Sequence, residues 1–158
     1  MDKIDRIPWD EYFMKITHDV SLRSTCRRKV GALITIDNQI KSTGYNGAPK
    51  GLKHCSDQGG CMRELNNIPS GTRQEFCRAV HAEQNAIIQA AAEGISIKGG
   101  TLYVNTYPCS ICTRMIINVG IKKIVYDSDY NDELSKKLLD ESGIEVVAYK
   151  TLSKNKKN

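Results

Sequence analysis

The second half of the chain alternates strand-like runs with helical segments, and this alternation constrains the fold more than any other feature. "TLYVNT" (101–106), "KKIVYD" (122–127) and "IEVVAYK" (144–150) are rich in β-branched and aromatic residues, which is typical of strands. Between them, "PCSICTRMIINVG" starts with proline and ends with glycine, and "NDELSKKLLDESG" predicts an exposed helix. Strands that alternate with helices predict a three-layer α/β sandwich whose sheet is parallel in part.

The first half adds a helix, a hairpin and a second helix to this pattern. Apolar residues recur at helical spacing near the start of the chain, at Trp9, Phe13, Ile16 and Val20. "VGALITI" and "QIKSTGY", joined by Asp37-Asn38, predict a β-hairpin. The alanine-rich "HAEQNAIIQAAAEG" predicts a buried helix that ends at Gly94.

Length and charge bound the remaining possibilities. With 158 residues we expect one domain over 1–150, followed by a solvated basic tail over 151–158. The net charge of +5 is mild and no aromatic residues interleave the basic ones, so we expect no stable nucleic-acid partner. No long apolar run or export signal is visible, which predicts a cytoplasmic protein without a membrane partner.

Residues 46–80 show little periodicity and contain Pro49 and Pro69. They are expected to form a long loop insertion in the domain. Loops of this length are usually functional or held in place by specific contacts.

Three residues at two predicted helix starts form a candidate metal site. Cys109 and Cys112 lie three apart in the first turn of a helix, so both sulfurs point the same way, near the positive end of the helix dipole. Thiolates there can bind zinc, and His81 at the start of the other helix supplies a neutral third ligand. Three protein ligands with one open position are typical of catalytic zinc, which activates a water molecule near neutral pH.

Glu83 lies in the same helical turn as His81 but points in a different direction. Its carboxylate can therefore carry a proton from water to a substrate ring and to a departing amine. Alone, Cys-x-x-Cys is often a redox motif or half of a structural zinc site, and His-Ala-Glu is often without function. Together, His-x-Glu and Pro-Cys-x-x-Cys form a signature of zinc deaminases that act on bases.

The segments "HAEQNAI" and "PCSICTRMI" resemble the cytidine deaminase superfamily, and "GYNGAPKG" resembles its deoxycytidylate (dCMP) deaminase branch. The resemblance covers about Trp9 to Tyr149. It implies a cytidine deaminase-like α/β/α sandwich with a five-stranded mixed sheet, and hydrolysis of dCMP to dUMP and ammonia, which supplies thymidylate synthesis. It also implies that His81, Cys109 and Cys112 hold zinc and that Glu83 is the general acid and base.

The resemblance suggests that Asn46 meets the sugar hydroxyl. A phosphate needs cationic or hydroxyl donors, which "SLRSTCRR" provides just before the first strand. The expected substrate-binding residues are therefore Arg23, Ser24, Arg27, Asn46, Ala82 and Tyr130, with Arg23 the first candidate for the phosphate and Tyr130 a weaker candidate at the pocket rim.

Members of this branch are commonly homohexamers that dCTP activates and dTTP inhibits. The resemblance assigns that control to a glycine-rich loop containing Gly44, Tyr45 and Gly47. A homo-oligomer with these effectors is therefore expected.

Four further cysteines predict a second, structural zinc. Cys26, Cys55, Cys61 and Cys77 remain, and three of them lie in the long loop, which a Cys₄ zinc would order. Some relatives carry a comparable second zinc in which histidine replaces a cysteine, so His54 is the alternative ligand. Four inert buried thiols are the competing interpretation.

Other functions compete with dCMP deamination. The closest are deaminases that act on another cytosine nucleotide, on tRNA adenosine, on a free base or in the riboflavin pathway. A non-catalytic zinc scaffold or an accessory protein of DNA uptake belongs to a different class, and the presence of Glu83 argues against it.

Overall fold

A computed structural model of the protein describes residues 5–150. The helices are α1 (Trp9–Ser21), α2 (Met62–Leu65), α3 (Ala82–Ala92), α4 (Ser110–Val119) and α5 (Glu133–Ser142). The strands are β1 (Gly31–Ile36), β2 (Gln39–Tyr45), β3 (Thr101–Thr106), β4 (Lys123–Ser128) and β5 (Glu145–Ala148). The predicted basic tail, 151–158, lies outside the described residues. Within them, no helix is both long enough and apolar enough to span a bilayer.

The strands form one mixed sheet in the order β2-β1-β3-β4-β5. β1 pairs antiparallel with β2 and β3, whereas β3, β4 and β5 run parallel. The β1–β2 hairpin turns at Asp37 and Asn38, whose φ angles of 52° and 57° match the tight turn that suits twisted strands. The predicted five-stranded mixed sheet is confirmed.

Helices cover both faces of the sheet. On one face, α1 buries Phe13 and Met14 against Leu33, Tyr103 and Val125. Neighbouring strand residues point the opposite way, because successive side chains in a strand alternate between faces. On that second face, α3, α4 and α5 enclose the larger core, which includes Ala32, Ile34, Leu102, Val104, Ile116, Ile124 and Leu139. The three-layer prediction is confirmed.

Two local predictions are wrong. The alanine-rich helix α3 is not buried all round: Ala86 and Ala90 face the core, but Ile88 is 49% exposed on the opposite side. Gly44 and Tyr45 were expected in a glycine-rich loop, but they lie in β2, because hydrogen bonding to β1 continues to the pair Gly31–Tyr45.

The long insertion is closed at its base. Gly47 and Val80 form an isolated antiparallel bridge, with N–O distances of 3.2 and 2.8 Å. Between them the chain makes α2 and two single turns of 3₁₀ helix, Cys55–Gln58 and Gln74–Phe76. The bridge brings the ends of the insertion together beside the start of α3, so the insertion forms a wall next to that helix.

Candidate active site

The beginnings of α3 and α4 meet on the second face of the sheet. His81 and Cys109 are the residues that immediately precede these helices, and both have extended backbone conformation. The His81 backbone N–H donates to Gln84 Oε1 at 2.8 Å, and this bond fixes the backbone of His81 at the start of α3.

The three predicted ligands converge. His81 Nδ1 lies 3.4 Å from Cys109 Sγ and 3.3 Å from Cys112 Sγ. Ligands bound tetrahedrally to zinc at about 2.0 and 2.3 Å are about 3.6 Å apart, so the donors fit this ion with little movement. Within residues 5–150, no other group of three or more His, Cys, Asp or Glu donors lies within 4.8 Å.

The electrostatics of the three residues suit a cation. A hydrogen bond from Cys112 lowers the pKa of Cys109 to about 4, while the same contact raises the pKa of Cys112. Hydrogen bonds to Cys109 and Cys77 raise the pKa of His81 to about 10. Without a metal, the group therefore favours a Cys109 thiolate beside a protonated His81. A divalent cation bound by the thiolates and the neutral imidazole would replace that positive charge.

Glu83 lies next to this group and is only 3% exposed. Burial raises its pKa to about 7. A carboxyl group with a pKa near neutrality can both accept and release a proton, as general acid–base catalysis requires.

A cavity of about 820 Å³ opens onto His81, Glu83 and Cys109. This volume falls in the usual range for small-molecule sites. Its opposite wall comes from the insertion, including Cys61, Arg63 and Gln74. The cavity therefore joins the metal ligands to a polar chamber large enough for a nucleotide.

Four of the six predicted substrate-binding residues line this cavity: Arg27, Asn46, Ala82 and Tyr130. Arg27 forms an ion pair with Glu64 of the insertion. Arg23, the first candidate for the phosphate, is exposed and is not a lining residue. Ser24 is buried outside the lining, and its hydroxyl donates to Asn46 O at 2.8 Å.

The Asn46 carboxamide links the cavity to the start of β1. Its Oδ1 accepts from Val30 N at 2.8 Å and its Nδ2 donates to Arg28 O at 2.7 Å. One further N–H and one further lone pair of the amide stay available for a ligand. Asn46 therefore fixes the segment before β1 in addition to lining the cavity.

Sequence reasoning missed Arg28, the next residue of the same "SLRSTCRR" segment. Its guanidinium lies 5.3 Å from the centre of the Tyr130 ring, and it donates to Thr106 Oγ1 at 2.8 Å. Gln74 reaches the same place from the insertion and donates to Tyr130 Oη at 2.5 Å. No sequence signal distinguished Arg28 from its neighbours, because the choice depends on which side chain turns toward β3.

The four remaining cysteines, Cys26, Cys55, Cys61 and Cys77, are reduced, half-buried and all line the cavity. Burial raises the pKa of Cys26, and the charges of the other three thiols raise it further. In the described part of the chain they do not form a group of three donors within 4.8 Å, and His54 Nδ1 instead contacts Thr25 Oγ1 at 2.9 Å. Three thiols of the insertion and Cys26 from the segment before β1 thus line one cavity without forming a cluster.

The model of the cytidine and deoxycytidylate deaminase zinc-binding region matches residues 7–128. The chain belongs to this deaminase family. Among its relatives, ComE operon protein 2 of Bacillus subtilis is 38% identical over 145 residues, covering 90% of this chain and 72% of that protein. The deoxycytidylate deaminase of Mycobacterium phage D29 is 39% identical over 132 residues, covering 80% and 99%.

The Schizosaccharomyces pombe deoxycytidylate deaminase is 36% identical over 146 residues, and this deaminase-family chain spans 45% of its length. Among solved structures, the dCMP deaminase of cyanophage S-TIM5 in complex with dCMP and dUMP superposes with a TM-score of 0.73 at 29% identity. That match covers 91% of this chain and 99% of the phage enzyme. The phage structure therefore shares the whole fold described above.

Proposed function

We propose that this protein is a zinc-dependent deaminase that hydrolyses dCMP to dUMP and ammonia. The observation that carries the proposal is the buried Glu83 carboxyl beside the His81–Cys109–Cys112 group at the floor of one cavity. The phage relative that binds dCMP and dUMP, and the relatives named deoxycytidylate deaminase, support the choice of substrate.

His81, Cys109 and Cys112 would hold the zinc ion. The chemistry that zinc supplies in such a site is the activation of a water molecule at neutral pH. Glu83 accepts one proton from the water and delivers it to the pyrimidine ring nitrogen; it then takes the proton of the hydroxyl group formed at C4 and passes it to the exocyclic amino group. The water oxygen forms a bond to C4, the C4–N bond breaks, and the amine leaves as ammonia.

The metal and the general acid–base group are separate functions in this assignment. Ammonia release from dCMP, with zinc content measured in the same samples, tests them together. Glu83→Gln is expected to lower kcat by about 10²–10⁴-fold with zinc retained, because the amide cannot carry the proton. A Glu83→Gln protein as active as the wild type would contradict the role of Glu83 in proton transfer. A wild-type protein that is inactive on every cytosine compound would favour the alternative of a non-catalytic zinc scaffold.

The phosphate end of the substrate is assigned to Arg28. Its guanidinium lines the cavity and is oriented by Tyr130 and Thr106, whereas Arg23 lies outside. We expect Arg28→Ala to lower kcat/KM for dCMP by at least about tenfold and to leave the much lower rate on deoxycytidine unchanged, since a charge-assisted contact contributes about 1.5–3 kcal/mol. Arg23→Ala serves as the matched control. Equal wild-type rates on nucleoside and nucleotide would remove phosphate recognition altogether.

A second, structural zinc in the insertion belongs to the same proposal. Cys26, Cys55, Cys61 and Cys77 face one chamber, and movement of the intervening turns would bring their sulfurs around one ion. His54 remains the alternative fourth ligand. Protein purified without added metal is expected to contain two zinc ions per chain. One zinc per chain, with the stability of Cys61→Ser unchanged, would refute this part.

A homohexameric assembly and control by dCTP and dTTP remain predictions from the family resemblance. The exposed apolar side of α3, with Ile88 and nearby Ile95, offers a surface for a second copy of the chain. Light scattering of the purified protein measures the assembly, and titration of dCTP and dTTP into the dCMP assay measures the control.

A further inference from the structure

We propose that Asp132 and Ser135, at the start of α5, are positioning residues that set the placement of the two zinc-binding cysteines on α4. The proposal rests on the proposed zinc site. It adds two side chains that do not bind the metal themselves. These side chains contact the residues next to Cys109 and Cys112.

The carboxylate of Asp132 joins two helix starts. One oxygen, Oδ1, accepts from Ser135 N at 3.0 Å and so caps its own helix α5. The other oxygen, Oδ2, accepts from the backbone N–H of Ser110, the first residue of α4, at 2.8 Å. Asp132 is 9% exposed, so both hydrogen bonds are shielded from water. A single carboxylate therefore fixes the relative position of the two helix beginnings.

Ser135 adds two more links between the same helices. Its hydroxyl donates to Pro108 O at 2.7 Å and lies 2.7 Å from Thr113 Oγ1. Ser135 and Thr113 are fully buried. Together with the Asp132 contact, these links reach three neighbours of the cysteines: Pro108 directly before Cys109, Ser110 directly after it, and Thr113 directly after Cys112.

Asp132 also pairs a backbone donor at the start of α4 that a capping side chain at Cys109 would not reach. At that position a polar side chain normally accepts a hydrogen bond from the backbone at the helix start, which stabilises the helix by about 1 kcal/mol. Such a bond comes from the second or third N–H of the helix, so the N–H of Ser110, the first residue of α4, needs a different acceptor. Asp132 supplies this acceptor from another helix, so Ser110 N is paired without any contribution from the Cys109 sulfur.

Asp132→Asn separates this role from ordinary capping. Asparagine is as good a helix cap as aspartate, so its oxygen can still accept from Ser135 N. Its amide nitrogen then faces Ser110 N, and two donors meet where a donor met an acceptor. The matched control is Glu133→Gln at the neighbouring residue, which removes the same charge from an exposed side chain that forms an ion pair with Lys136.

The test measures the zinc dissociation constant by competition with a chromophoric chelator. Both variants are made in a Cys55→Ser/Cys61→Ser background, which leaves at most three of the donors proposed for the second zinc, so that the reading reports the His81 site. We expect zinc to bind at least tenfold more weakly to Asp132→Asn, because partners that orient metal ligands typically contribute 10–100-fold in affinity. Glu133→Gln should bind zinc as tightly as its parent. The thiolate-to-cobalt absorption of the Co²⁺-substituted protein should change in Asp132→Asn alone.

Several results would overturn the inference. These are a loss in Asp132→Asn smaller than tenfold, an equal loss in Glu133→Gln, and an unchanged cobalt spectrum accompanied only by a lower free energy of unfolding. If Asp132→Asn does not fold, Ser135→Ala is measured by the same criteria. All of these measurements are independent of deamination. An inactive wild-type protein would therefore refute the proposed substrate, whereas this inference would be decided by metal binding.

Discussion

Replacing Gly44 with alanine tests whether the close approach of α3 to β2 sets the geometry of the site. A Cβ atom at Gly44 would lie 2.2 Å from Ala82 O and 2.4 Å from Ala86 N, both backbone atoms of α3. Ordinary contacts begin at 3.4 Å, so the helix must move away by about 1.2 Å, the difference between 3.4 and 2.2. The first turn of α3 carries Glu83 and follows His81, so this movement separates both from the cysteines of α4.

Two magnitudes follow from that movement. Overpacking of this kind costs about 1–3 kcal/mol in the free energy of unfolding. A misplacement of about 1 Å at a reacting centre can lower the rate by about 10²-fold. We therefore expect Gly44→Ala to lower kcat/KM for dCMP by about two orders of magnitude, measured as ammonia release on protein shown by circular dichroism to be folded.

Gly31→Ala is the matched control. Its Cβ would lie 2.3 Å from Thr17 O, an equally severe clash, but with α1 on the opposite face of the sheet. A similar loss of stability with near-normal kcat/KM is expected, because α1 carries no site residue. Gly47→Ala should change stability by less than about 1 kcal/mol, since its Cβ would meet no atom within 4 Å. Wild-type activity in Gly44→Ala, or an equal loss of activity in Gly31→Ala, would refute the reasoning.

Four further outcomes are expected. Tyr103→Phe removes the 2.7 Å hydrogen bond to Asp10 and should lower the free energy of unfolding by about 1.5–3 kcal/mol in denaturant titrations. Ile116→Ala empties a fully buried position and should cost about 2–5 kcal/mol in the same assay. Asn46→Asp keeps the acceptor for Val30 N but sets an oxygen against Arg28 O; a loss of about 1–3 kcal/mol by thermal unfolding is expected. A strong chelator should abolish deamination, and added Zn²⁺ should restore it, measured by ammonia release.

The strands, the hairpin and the main helices follow from local sequence. Alternating apolar residues, Asp37-Asn38 at the turn, Pro108 before α4 and Gly120 after it act over a few residues, so their effects can be predicted without the fold. The burial of α3 could not be predicted in this way, because alanine suits both a core and an exposed face. Which side of the helix meets the sheet depends on Gly44, nearly forty positions earlier in the chain.

The sequence by itself determined the metal-binding donors of this protein. Histidine and two cysteines near helix starts have fixed chemistry, although Cys109 lies just before α4 with extended backbone rather than in its first turn as the spacing predicted. Only the tertiary structure decided which other side chains lie near these donors. It turned Arg28 rather than Arg23 into the cavity and brought Asp132 to Ser110, because contacts between separate elements depend on how the helices and the sheet pack together.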